Sequence, residues 1–183
     1  MIQCADDLTT LTLVVCPAHR AAELIDLHKP SHVVSLFSPG QEQLVSPAAA
    51  EGTLQLCFHD LSEVREGFLA PGQDVIGTLL DFARLWTGPR PLLIHCWAGI
   101  SRSSAAAYIL ACDRNPGHER EIAADLRQRA PFATPNRLMV QLADDMLGRR
   151  GRMVDAIAAI GRGAEATWGE PFWLPVGGYG SSA

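Results

Sequence analysis

The chain has 183 residues, 48 % hydrophobic and 19 % charged, which is enough for one domain with a substantial core and far from a disordered composition. Its net charge is −5 and Lys29 is its sole lysine, so there is no polybasic run to hold nucleic acid or an anionic membrane face. Five cysteines without a CxxC pair exclude zinc-finger spacing and argue against a secreted disulfide framework.

At the amino terminus, MIQCADDLTT lacks the basic-then-apolar pattern of a signal peptide, and no apolar stretch approaches a membrane span. A soluble cytoplasmic protein is therefore expected. Leu11–Cys16 is a short apolar run ending at Pro17 and reads as a buried strand. Ala18–His28 follows with Ala21, Leu24, Ile25 and Leu27 at helical spacing. His32–Phe37 is a β-branched run closed by the turn signal Ser38-Pro39-Gly40, and Thr53–Phe58 is a further strand with His59-Asp60 at its end. A helix opens at Pro71-Gly72-Gln73-Asp74, buries Val75, Ile76, Leu79, Leu80, Phe82, Ala83 and Trp86, and stops at Gly88-Pro89.

Pro91–His95 is too short for a helix and is bounded by breakers, so it reads as a buried strand. Ser103–Cys112 is apolar on most sides, the pattern of a helix in the middle of a domain. Amphipathic helices are expected over His118–Arg129 and Asn136–Leu147, separated by Pro131 and Pro135, with a last short helix over Met153–Ile160. From Gly161 the chain is rich in Gly, Pro and aromatics and is expected to be irregular, packed on the surface or partly flexible. Alternating strands and helices predict a single α/β domain, its central and mostly parallel sheet flanked by helices on both sides. Ligands of such sheets bind at the strands' carboxyl ends, where the loops Cys96–Ser101 and His59–Glu66 fall.

The segment His95-Cys96-Trp97-Ala98-Gly99-Ile100-Ser101-Arg102-Ser103 runs from a buried strand through a tight loop into a helix. Backbone N–H groups at such a helix start converge into an anion cradle, and the helix dipole adds partial positive charge. Gly99 supplies backbone freedom, and Arg102 in the first turn offers a planar fork to two phosphate oxygens. A cysteine at the base of this cradle is surrounded by donors, which favour its thiolate, an in-line nucleophile for a bound phosphoryl group.

This segment resembles the HCxxGxxRS signature of the protein tyrosine phosphatase superfamily, in the form of its compact dual-specificity branch. Resemblance continues upstream at His59-Asp60, where that branch carries its general acid, and downstream at Pro135-Asn136 with Gln141-Leu142. It covers roughly Leu11 to Leu147. It implies a cysteine-phosphatase fold over residues 1–160 with a tail over 161–183, and hydrolysis of phosphomonoesters, phosphotyrosine by default, through a cysteinyl-phosphate. The implied catalytic residues are Cys96 as nucleophile, Asp60 as acid and base, Arg102 as clamp, and Ser103 as donor to the departing thiolate. Trp97, Ala98, Gly99, Ile100, Ser101 and Arg102 would bind phosphate, while His95 bonds within the loop and Asn136 holds nearby loops. No metal or cofactor is implied, and the partner is a phosphorylated protein or a small phosphate ester.

Rival acids are Asp74 and Asp81, both within a helix, and Glu63 and Glu66. The scattered His19, His28, His32, His59 and His118 read as surface or structural. Cys57, near Asp60 in sequence, is a candidate oxidation partner for Cys96, against the plainer reading of a buried strand cysteine. A rhodanese-like sulfurtransferase needs neither the upstream acid nor the Gly-x-x-Arg-Ser ending. A phosphate-reading module without turnover is the alternative outside enzymes.

Overall fold

The computed structural model describes residues 11–41 and 50–180. Apolar runs become strands where both faces are covered. β1 (Thr12–Pro17), β2 (His32–Phe37), β3 (Gly52–Cys57) and β4 (Leu92–Cys96) pair in parallel in the order β3-β2-β4-β1. Period-two alternation then sorts their side chains. Leu13, Val15, Val34, Leu36, Leu92, Ile94 and Cys96 face one core; Val14, Cys16, Val33 and Leu93 face another.

One helix, α1 (Ala18–His28), covers the second face with Ala21, Leu24 and Ile25. The other face carries α2 (Gln73–Arg84), α3 (Arg102–Arg114), α4 (Glu119–Arg129), α5 (Arg137–Met146) and α6 (Arg152–Ile160). Helices therefore lie on both sides of the sheet, as expected, with α3 central: every residue from Arg102 to Cys112 is buried. Its Tyr108 hydroxyl donates to the carbonyls of Glu119 and Met153, tying α3 to the helices around it.

The expected irregular tail contains a fifth strand. β5 (Phe172–Pro175) lies antiparallel along the outer edge of β1, and Phe172, Leu174 and Val176 enter the main core. The four residues Phe172–Pro175 carry too little local signal to be read as a strand; the open edge of β1 makes them one. Cys57 fits the plainer reading of a strand cysteine. It ends β3, and β2 lies between β3 and β4. Two strand spacings, about 10 Å, separate it from Cys96, too far for a disulfide without backbone movement.

Candidate active site

Cys96 is the last residue of β4, only 2 % exposed, and points toward the larger core. Its Sγ is 3.1 Å from the Oγ of Ser103, the second residue of α3. Between them the loop is anchored from outside through its carbonyls. Trp97 O accepts from the Ala18 amide at the start of α1, and Ala98 O from Gly169 in the tail. Ile100 O and Ser101 O accept from Thr134 and Asn136. Carbonyls turned outward leave the N–H groups for the concave side, and none of the amides of residues 97–101 meets a protein acceptor among the described residues. Gly99 is required twice over: its φ is +73°, and a Cβ there would come within 2.6 Å of Pro17 N.

Arg102 is 3 % exposed, and its Nη1 donates to Phe58 O at 2.8 Å and Ser38 Oγ at 3.1 Å. Those bonds fix the guanidinium plane. Its Nε is buried without a hydrogen-bond acceptor among the described residues, a costly arrangement unless an anion completes it. Ser38 is a contributor the sequence does not flag, since it reads only as part of a turn.

Asp60 stands on the loop after β3. Ser101 Oγ and Asn136 Nδ2 each donate to its Oδ1 at 2.7 Å, and Asn136 Nδ2 also reaches Leu61 O. Oδ2 is left 4.0 Å from Arg102 Nε. Asn136 does more than hold loops, as it couples the carboxylate to α5, whose N-terminus it caps by accepting from Met139 N. The loop is closed by His59, which exchanges hydrogen bonds with Leu69, so His59 is structural. Of the rival carboxylates, Asp81 pairs with Arg84 and Glu63 with Arg65 on exposed surface, and Asp74 sits in the first turn of α2.

His95 differs from expectation. It makes no bond within the loop; its Nε2 meets Ser35 Oγ of β2 at 2.7 Å, on the face opposite Cys96. Burial pushes its pKa down to about 4, so the ring is neutral. A proton on Nε2, donated to Ser35, leaves only a lone pair at Nδ1, which has no partner among the described residues.

The rim is aromatic. Trp97, 43 % exposed, packs against Trp168 of the tail with centroids 5.6 Å apart, and His19 meets Trp168 edge-on at 4.9 Å. Pairing of the tail with the loop is a tertiary fact with no signal in the sequence.

A search of family models found no match, and none was found among curated proteins. Solved structures do match. PTPMT1 in complex with PI(5)P aligns with a TM-score of 0.60 at 13 % identity, over 84 % of this chain and 94 % of that one. DUSP15 aligns at 0.57 and 20 %, over 81 % and 89 %. The human tyrosine phosphatase-like serine/threonine/tyrosine-interacting protein aligns at 0.58 and 17 %, over 75 % and 92 %. The fold is that of the protein tyrosine phosphatases. On a protein tyrosine phosphatase fold the chemistry lies in the strand-end loop, which this chain builds from residues 96–102.

Proposed function

We propose that this chain hydrolyses phosphomonoesters through a cysteinyl-phosphate, with phosphotyrosine as the substrate group. The observation that carries this reading is the set of unpaired amides over residues 97–101, together with the orphaned Arg102 Nε, beside the Cys96 thiol. Donors without acceptors around a buried sulfur suit a tetrahedral oxyanion held for in-line attack.

Cys96 Sγ attacks phosphorus and the P–O bond to the leaving group breaks, while the leaving oxygen takes a proton from Asp60 Oδ2. Water then attacks the cysteinyl-phosphate and gives its proton to Asp60. The P–S bond breaks, and Ser103 Oγ, 3.1 Å away, donates to the released thiolate as inorganic phosphate leaves. The charge of the transferring group is met by Arg102 and the loop amides. Trp97 and Trp168 at the rim favour a flat aryl leaving group, which is the support for phosphotyrosine over aliphatic esters.

The test is Cys96→Ser assayed on p-nitrophenyl phosphate in EDTA. Turnover should fall on the order of 10³-fold or more, because the nucleophile is gone, while inorganic phosphate still binds the cradle. A serine variant as active as the parent would overturn covalent catalysis by Cys96.

A further inference from the structure

Ala18, His19, Trp97 and Trp168 line a cavity of about 130 Å³ at the carboxyl end of the sheet. Strand register places it there. Pro17 of β1 lies beside Cys96 of β4, so Ala18 and Trp97, the residues that leave the two strands, emerge side by side. Consecutive Cα atoms are about 3.8 Å apart, so the Trp97 wall of the cavity starts beside the nucleophile. The chain also passes from interior to surface at this step, since Cys96 is buried while Trp97 is 43 % and Trp168 42 % exposed.

Trp168 is fixed by the chain on both sides of it. Upstream, Gly163 N donates to Thr134 Oγ1 and Ala164 N to Pro131 O. Downstream, Gly169 N donates to Ala98 O and Phe172 enters the main core. The Trp168 ring meets Trp97 at 5.6 Å and His19 at 4.9 Å between centroids. Ordering a tryptophan costs conformational entropy, and this one still leaves much of its ring in water. Two indoles already held in place can bury further apolar area with little more ordering. None of the four lining residues carries a carboxylate, guanidinium or ammonium group. An apolar cavity of about 150 Å³ takes up benzene, so this one suits a single ring or a branched alkyl group.

We infer that this cavity is a specificity subsite for an uncharged, apolar side chain flanking the phosphotyrosine of a protein substrate, with Trp168 as its determining residue. The inference rests on the phosphotyrosine reading of the cradle, and Trp97, shared by both, makes the two sites continuous. An extended chain advances about 3.4 Å per residue, so positions within three of the phosphotyrosine cover about 10 Å to either side.

The test is a positional scan by calorimetry on the full chain carrying Cys96→Ser, which reads binding without turnover. Alanine-based phosphotyrosine peptides carry one leucine or phenylalanine at each position from three before to three after the phosphotyrosine. At one position the apolar residue should bind about tenfold more tightly than alanine. Trp168→Ala should abolish that preference, and Trp168→Phe should restore part of it. Ala18→Leu, which fills the cavity and keeps both indoles, should abolish it as well. The preference is a ratio within each variant, so a change in overall phosphopeptide affinity cancels, and a melting temperature near the parent's reports folding. A flat scan, or a preference that survives either Trp168→Ala or Ala18→Leu, overturns the subsite. Failure of every peptide to bind would overturn the phosphotyrosine reading together with the subsite. A preference that stands while the parent turns over no aryl phosphate would overturn hydrolysis alone.

Discussion

Asp60 Oδ1 accepts two hydrogen bonds, from Ser101 and Asn136, so in the proposed reaction Oδ2 is the oxygen that exchanges a proton. A proton donor matters in proportion to how poorly the leaving group departs alone. Asp60→Asn should therefore cost on the order of 10²–10⁴-fold on phosphotyrosine and far less on p-nitrophenyl phosphate. Equal losses on the two substrates would reduce Asp60 to a structural residue. His95 makes a different kind of prediction. Burial holds its pKa near 4 in the native state, against about 6.5 in the unfolded chain. Between those values the unfolded chain binds a proton that the native ring refuses. Stability from this source is complete above pH 6.5 and is lost, by roughly 3 kcal/mol, as the pH falls to about 4. His95→Gln, which keeps an amide donor toward Ser35, should flatten that part of a urea-midpoint profile against pH. An unchanged profile would assign the acid sensitivity to other groups.

At the scale of elements, the backbone of the tail is hydrogen-bonded to the signature loop at Gly169, next to the Trp97–Trp168 contact. Gly169 N donates to Ala98 O at 2.8 Å, and a Cβ on Gly169 would lie 2.7 Å from Gly99 O and 2.5 Å from the Phe132 ring. The ring can turn; the loop carbonyl can yield only if the cradle moves. Gly169→Ala should cost about 1–3 kcal/mol as overpacking. It should also lower kcat/KM on p-nitrophenyl phosphate by about tenfold to a hundredfold, because small displacements at a reacting centre are expensive. Full activity with a lowered melting temperature would confine the damage to packing. This coupling marks the limit of what the sequence reveals. The signature, its Gly99 and Arg102, the buried strands β1, β2 and β4, and the loop carrying Asp60 are legible because each is coded within a few residues. The bond from Asn136 to Asp60 spans 76 positions, and the Ser38 support of Arg102 spans 64. Ser38 carries no motif at all, and only folding shows its use.

For the molecule as a whole, the tail covers the β1 edge of the sheet, and its removal is a severe change. Deleting everything after Ile160 would remove β5 and uncover the edge of β1 over Thr12–Val15. It would also take away Phe172, Leu174 and Val176, all 5 % exposed or less, and the bonds from Asn115 and Arg129 to tail carbonyls. Burying a side chain of this size is worth about 1.5–3 kcal/mol, so the three together supply roughly 5–9 kcal/mol. Native domains have only about 5–15 kcal/mol in hand. The bared strand would also present unpaired N–H and C=O groups to other copies. The shortened chain should therefore lose its cooperative thermal transition near room temperature and elute as aggregate, and it should not turn over p-nitrophenyl phosphate. Circular dichroism and size-exclusion chromatography read the first two outcomes directly. A monomer melting within a few degrees of the full chain would show that β5 and the Trp168 contact add little, and that the core of residues 11–160 stands by itself.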